Sequence, residues 1–124
     1  MIAVDSSTLI AYIQGQAGAD VELLDQCIGT NELVLPPVVL TEVLCDPALP
    51  AEHDALIRTL PVLDILSGYW LRAAENREKL ISRRLRARLG DTLIAQSCID
   101  HDVMLIERDG DFRHFAKHCG LKLA

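Results

Sequence analysis

The sequence predicts an α/β domain with a central parallel sheet of four to five strands and helices on both faces. Two observations lead to this prediction. Short apolar runs alternate along the chain with longer segments in which apolar residues recur at helical spacing. The short runs are continuously apolar, which is typical of parallel strands covered on both faces. The 124 residues contain no repeat or linker, so we expect one domain spanning residues 1–124.

The predicted strands are short runs rich in Val, Ile and Leu, the residue types that buried strands favour. They are MIAVD (1–5), ELVLPP (32–37), VLDIL (62–66), DVMLIE (102–107) and LKL (121–123).

The predicted helices lie between these runs, and several have recognisable ends. Ser6 or Ser7 is expected to cap the first helix and Gly15 to stop it. Pro37 suits the first turn of the third. The helical segments are residues 6–15, 21–28, 37–46, 50–60, 67–89, 90–101 and 111–120, and the longest has Trp70, Ala74, Ile81 and Leu85 near one apolar stripe.

Acidic residues stand where the predicted strands end. In open parallel sheets, ligands bind beyond the carboxyl ends of the strands, so acids from distant segments should meet there. Asp5 follows the first strand, Glu42 lies early in the helix after the second, and Asp91 opens the helix before the fourth. The loop after the fourth strand holds the remaining candidates, Glu107, Asp109 and Asp111.

Each acid also has a purely structural interpretation. Asp5 and Asp91 suit helix starts, and Asp109 and Asp111 are ordinary turn residues. Glu42 lies in a helix that is apolar on nearly every side, where a carboxylate is costly unless something matches it. The convergence of acids from four distant segments is what favours a site.

Converging carboxylates repel one another and need a compensating charge. Mg²⁺ prefers oxygen ligands and is commonly held by a few carboxylates together with substrate phosphate. No cluster of His and Cys suggests zinc. His114 and His118 have the spacing of a helical metal pair, but no third ligand is evident, so we interpret them as surface residues. The acids therefore predict a hard divalent cation.

The net charge of −6 conceals a strongly basic segment. Six of the twelve Lys and Arg residues fall within Arg77–Arg88, and Arg83, Arg84, Arg86 and Arg88 are the candidates for contact with a ligand. Two interpretations stay open for this segment: a solvated helix face, or a strip that binds phosphates.

The cysteines and the first residues predict the cellular compartment. Cys27, Cys45, Cys98 and Cys119 form no C-x-x-C pair, and Asp5 interrupts the first apolar run too early for a signal peptide. We therefore expect reduced thiols, a cytoplasmic location and no role at a membrane, since no apolar run approaches the ~20 residues of a membrane span.

Four motifs resemble those of PIN-domain ribonucleases, specifically toxins of the VapC type. They are VDSSTLIA (4–11), PPVVLTEVL (36–44), GDTLIAQS (90–97) and IERDGDF (106–112), and together they cover essentially the whole chain. The resemblance implies an acidic quartet, a homodimer, and a co-encoded antitoxin that blocks the site. That quartet, which would hold Mg²⁺ or Mn²⁺ and hydrolyse RNA phosphodiester bonds, is Asp5, Glu42, Asp91 and Asp109.

The last motif departs from the family pattern, which usually has Thr or Ser two residues before the first Asp. Glu107 stands in that position. Three roles stay open for it: a metal ligand, an ion-pair partner of an arginine, or a side chain directed away from the site. Ser6 and Asp111 are expected to be auxiliary, and the basic segment is expected to bind RNA phosphates.

Other functions compete with this one. A non-toxin PIN-domain RNA-processing nuclease, or a catalytically silent PIN-like binding domain, stays open, although all four acids are present. A metal-dependent phosphatase would need a second acid two residues after Asp5, and the sequence has none there. A receiver domain would need paired early acids and a suitably placed lysine, which we do not find.

Overall fold

Three parallel strands and seven helices make up the fold. The structure is a computed structural model, and it describes all 124 residues. In chain order the elements are β1 (Ile2–Val4), α1 (Ser6–Ile13), α2 (Ala19–Gly29), β2 (Leu33–Val34), α3 (Pro37–Leu44), α4 (Ala51–Thr59), α5 (Tyr69–Ser82), α6 (Leu89–His101), β3 (Met104–Ile106) and α7 (Arg113–Cys119).

The sheet has the order β2-β1-β3, and both pairings are parallel. Ile2 of β1 pairs with Leu33 on one side and with Met104 on the other. Successive residues of β1, Ala3 and Val4, point to opposite faces and are both fully buried, so helices cover the sheet on both sides. The predicted α/β architecture with a parallel sheet is confirmed.

The predicted number of strands, four to five, is wrong, because two of the predicted strands make only isolated bridges. The segment 62–66 reaches the sheet through one parallel bridge, Leu35 to Val62. Leu35 donates its N–H to the Pro61 carbonyl at 2.9 Å and accepts from Leu63 at 2.9 Å. The next residues along that edge are Pro36 and Pro37, which have no N–H, so the ladder stops.

The segment 121–123 behaves similarly at the other edge of the sheet. Leu123 forms one parallel bridge to Leu105 of β3. Leu105 donates to the Lys122 carbonyl at 2.9 Å, and Ala124 donates to the Leu105 carbonyl at 2.9 Å. Five segments therefore lie side by side, but only the inner three extend beyond a single bridge.

The long helix predicted over 67–89 ends early, at Ser82. Arg84 adopts a left-handed conformation with φ +60°. Its N–H donates to the Ile81 carbonyl at 2.8 Å, and the Leu85 N–H donates to the Leu80 carbonyl at 3.0 Å. These two bonds form a Schellman motif, a helix ending that usually has glycine at the left-handed position. The basic residues after Ser82 therefore lie in an exposed loop and not on the face of a long helix.

The face of α5 that packs on the core also differs from the predicted stripe. Tyr69, Ala73 and Leu80 are buried, whereas Trp70 is 61% exposed and Ile81 is 51% exposed. Polar contacts with α6 fix this rotation. Tyr69 Oη donates a hydrogen bond to the Leu93 carbonyl at 2.6 Å. Arg72 donates to Asp100 at 2.7 Å, and Asn76 donates to Gln96 at 2.8 Å.

The helix ends that the sequence marked with proline and glycine are confirmed. Pro37 begins α3, and Gly15, with φ +72°, follows the last turn of α1 and donates its N–H to the Tyr12 carbonyl at 3.1 Å. All four cysteines are free thiols. None of the helices combines the length and the apolar character needed to cross a membrane.

Candidate active site

Asp5 lies at the carboxyl end of the central strand. Its N–H donates to the Ile106 carbonyl at 2.9 Å, which joins the ends of β1 and β3, and its carbonyl accepts from Leu9 to begin α1. The residue is 7% exposed. The end of β1 thus holds a buried carboxylate where the sequence predicted one.

Burial raises the pKa of Asp5 to about 6, and the hydroxyl of Ser7 partly opposes this because it donates a hydrogen bond to the carboxylate. Repulsion from Asp91 raises this pKa further. Asp5 therefore keeps its proton to a higher pH than a free aspartate does. It also lies close enough to Asp91 for the charge of one acid to affect the other.

Glu42 reaches the same edge from α3. Its Oε1 accepts a hydrogen bond of 2.8 Å from the hydroxyl of Ser6. The glutamate is exposed, so its carboxylate is not buried among the apolar residues of α3, and Ser6 supplies a hydrogen bond to it. A Cβ added at Gly90 would lie 3.5 Å from Glu42 Oε2, so α3 and the start of α6 approach each other closely here.

Asp91 occupies the first turn of α6, two residues inside the helix start, and Arg88 takes the cap position. Burial raises its pKa, and repulsion from Asp111 and from Glu42 adds to the effect. Arg88 and Arg86 lower the same pKa. The charge of Asp91 is thus influenced by Asp111, Glu42 and two arginines.

The loop after β3 presents Asp111 to this cluster and leaves Asp109 outside it. Asp111 and Asp91 line a small cavity of about 70 Å³. Asp109 is exposed, does not line that cavity, and makes no hydrogen bond or ion pair through its side chain. The structure therefore brings together Asp5, Glu42, Asp91 and Asp111.

The sequence matches the PIN domain family over residues 2–118. The chain belongs to the PIN domain family. The resemblance noted in the four sequence motifs is thereby confirmed at the level of the family. No curated protein matches the sequence.

A solved structure has the same fold. It is the crystal structure of VapBC2 from Rickettsia felis bound to a DNA fragment from their promoter. The similarity has a TM-score of 0.75 and covers 100% of this PIN domain and 98% of that chain, at 17% sequence identity.

Glu107, the residue that departs from the usual PIN motif, closes the loop that carries Asp111. Its Oε2 accepts the N–H of Gly110 at 2.7 Å, and Gly110 has φ +70°. Glu107 forms no ion pair. A carboxylate thus holds the turn in this PIN domain at the position where the family usually has a hydroxyl.

Arg108 anchors the other side of the same loop, and the sequence did not indicate this role. Its Nη1 lies 3.1 Å from Asp20 Oδ2, and its Nη2 donates to the Ala17 carbonyl at 2.9 Å. Buried Thr8 donates to the same Asp20 carboxylate at 3.0 Å. No short motif predicts a contact between residues 88 positions apart.

The four basic candidates lie in three different places. Arg86 and Arg88 act on the charge of Asp91, and Arg86 lines the cavity with it. Arg83 instead lies beside α7, where it lowers the pKa of His118. Arg84 forms the turn that ends α5.

The acids of this PIN domain fit the chemistry of a hard divalent cation. Oxygen is the only donor type among them. Burial raises the pKa values of Asp5 and Asp91, repulsion from neighbouring acids raises them further, and a bound cation would favour the ionised form of both. No three His, Cys, Asp or Glu side chains are close enough to form a ready cage. The residues that would hold the ion are Asp5 and Asp91, with Asp111 and Glu42 as further oxygen donors.

Proposed function

We propose that the protein is a metal-dependent endoribonuclease, the toxin of a toxin–antitoxin pair. The observation that supports the proposal is that acids from four segments influence one another's charge near one edge of a PIN-domain sheet, since Asp91 raises the pKa of Asp5, and Asp111 and Glu42 raise that of Asp91. Membership of the PIN family supports nuclease chemistry, and the fold shared with a VapBC2 structure supports the toxin type.

The proposed reaction is hydrolysis of an RNA phosphodiester bond. A bound Mg²⁺ or Mn²⁺ ion supplies charge that polarises the phosphoryl group and lowers the pKa of a water. Glu42, exposed and oriented by Ser6, is positioned to orient the attacking water. Ser7 fixes the rotamer of the Asp5 carboxylate. Arg86 and Arg88 attract the phosphate toward a site that is otherwise acidic.

We assign the fourth acid of the quartet to Asp111 in preference to Asp109. Asp111 acts on the charge of Asp91 and shares its cavity, whereas Asp109 faces solvent. The assignment gives the two residues opposite expected behaviour in the same assay, so Asp109 serves as the matched control.

Cleavage of single-stranded and structured RNA in Mg²⁺, Mn²⁺ or EDTA tests the function. We expect wild-type cleavage with either metal and none in EDTA. Asp5→Asn, Asp91→Asn and Asp111→Asn should each reduce the rate about 100-fold or more, since each removes a charge from the metal site. Asp109→Asn should remain within about threefold of wild type. Cleavage that persists in EDTA and in Asp5→Asn would contradict the proposal, and RNA binding without cleavage would favour a silent binding domain.

A cognate antitoxin is the proposed partner in the cytoplasm. The support is the VapBC2 structure, whose name joins a toxin-type PIN chain to a second protein. Copurification with the product of an adjacent short gene, and inhibition of RNA cleavage by that product, test this partner. A nuclease whose neighbouring genes encode no such inhibitor would be an RNA-processing enzyme.

We also propose that the protein forms a homodimer through exposed apolar residues of α5 and α6. Leu71 is 72% exposed and Leu89 is 59% exposed, and Trp70 borders a cavity of about 360 Å³ between the two helices. Light scattering should detect a dimer for wild type and a monomer for Leu89→Lys, because Leu89 is exposed and lines this cavity. Met104→Lys, at an exposed apolar residue of β3, is the control that should stay dimeric.

A further inference from the structure

Helix α7 lies against the end of α5, and together they concentrate positive charge. Lys79 of α5 donates a hydrogen bond of 3.5 Å to the carbonyl of His118 in α7. Arg83, which caps the end of α5, lies on the same side, because it and Lys79 both lower the pKa values of His118 and Cys119. Two elements far apart in sequence thus form one cationic surface.

Helix α7 extends this surface by one turn. Arg113 and Lys117 are both exposed and four residues apart, so they are neighbours on one side of the helix. His114 and His118 form the adjacent row, also four residues apart. We call the basic surface the set of Lys79, Arg83, Arg86, Arg113 and Lys117, together with these two histidines.

One end of the basic surface opens onto the acids. Arg86, Arg113 and His114 line the same small cavity as Asp91 and Asp111. Arg113 also donates to the Gly110 carbonyl at 3.3 Å, which holds it at the mouth of that cavity. The basic surface therefore extends to Asp91 and Asp111, two of the acids proposed to cleave the substrate.

No residue of the basic surface forms an ion pair, although Arg86, Arg113 and His114 share a cavity with Asp91 and Asp111. The arginine and lysine residues that form ion pairs are Arg58, Arg72, Arg108 and Lys122, and none of them belongs to the basic surface. Unpaired like charges held close together repel one another, and a chain of phosphates relieves this repulsion. The surface has no Phe, Tyr or Trp side chain for base stacking, so backbone charge is the main feature it can recognise.

We propose that the basic surface holds the phosphates of a single-stranded RNA on one side of the scissile bond and leads that strand to Asp91 and Asp111. The inference rests on the proposed nuclease function and deepens it, since it assigns the substrate as a strand several nucleotides long that contacts the enzyme beyond the cleaved bond.

Binding of a fluorescently labelled single-stranded RNA, measured by anisotropy in EDTA, tests the surface without cleavage. The variant is Lys79→Gln with Lys117→Gln, and the control is Arg58→Gln with Lys122→Gln, which changes the net charge equally at residues outside the surface. Two lost phosphate contacts should weaken binding about 25-fold at about 0.1 M salt and reduce the slope of log K against log salt by about 1.4. The control should bind within about twofold of wild type.

Two further measurements separate the possible failures. Lys79→Arg with Lys117→Arg should restore binding, because the charge is kept. Equal affinities for the two Gln variants would overturn the inference, whereas the nuclease function would stand if wild type still cleaves the RNA in Mg²⁺. Wild-type binding through this surface without cleavage in either metal would count against the nuclease function alone. An equal loss of affinity for duplex DNA would overturn the assignment to a single strand.

Discussion

Replacement of Asp5 by asparagine is expected to stabilise the metal-free protein near neutral pH. Burial raises the pKa of this carboxyl from 3.8 to about 6. The folded protein therefore binds the carboxyl proton more tightly than the unfolded chain does. By linkage, the free energy of unfolding falls as the pH rises from 3.8 through about 6, because the charge must then be held in a buried position.

The size of this effect follows from the difference between those two pKa values. At about 1.4 kcal/mol for each pKa unit, the ionised Asp5 costs the folded state about 3 kcal/mol. Asparagine has a similar shape and keeps an oxygen that can accept the hydroxyl of Ser7, but it never ionises. The free energy of unfolding of Asp5→Asn should therefore exceed that of wild type only slightly at about pH 4 and by about 3 kcal/mol at about pH 7.

Urea unfolding monitored by circular dichroism, in EDTA and across this pH range, measures this difference directly. Asp109→Asn makes the same chemical change at an exposed residue without side-chain partners and should stay within about 0.5 kcal/mol of wild type throughout. A difference between wild type and Asp5→Asn that does not change with pH would refute the reasoning, because the cost would then not come from ionisation.

Three further outcomes are expected. Arg84→Gly should raise the free energy of unfolding by about 0.5–1 kcal/mol in urea, because glycine adopts the left-handed conformation without strain, and Arg84→Ala should give no such gain. Glu107→Ala should lower the free energy of unfolding by about 1–2 kcal/mol, since the Gly110 N–H loses its acceptor. RNA cleavage should slow as well, because the loop that carries Asp111 is then held less firmly. Ser7→Ala should move the titration midpoint of Asp5, followed by NMR without metal, to higher pH.

Patterns that depend on neighbouring residues in sequence predicted much of the fold. Continuous apolar runs identified the parallel strands, and Pro37 and Gly15 marked helix ends that the structure has. The end of α5 was missed because its left-handed position carries arginine, which has no conformational preference for it. The strand count was too high because the segments 62–66 and 121–123 each form only a single bridge, and an apolar run does not show how far its pairing extends.

The candidate site could be predicted as far as its strand ends, but not within its last loop. Asp5, Glu42 and Asp91 each stand at a position that parallel topology fixes. Three acids in five residues after β3 cannot be ranked from topology alone. The structure distinguishes them, because Glu107 accepts the Gly110 N–H, Asp109 is exposed, and Asp111 lines a cavity with Asp91.

The strands that pair with β1 also determine how much of the chain must be synthesised before the site can form. β1 is made first, yet one of its two partners is β3, close to the end of the chain. The N–H of Asp5 has no acceptor until Ile106 is in place, and Asp111 is translated later still. Contacts so distant in sequence form late and slowly in folding. A nascent chain on the ribosome that ends before Asp111 therefore carries Asp5, Glu42 and Asp91 without an assembled site.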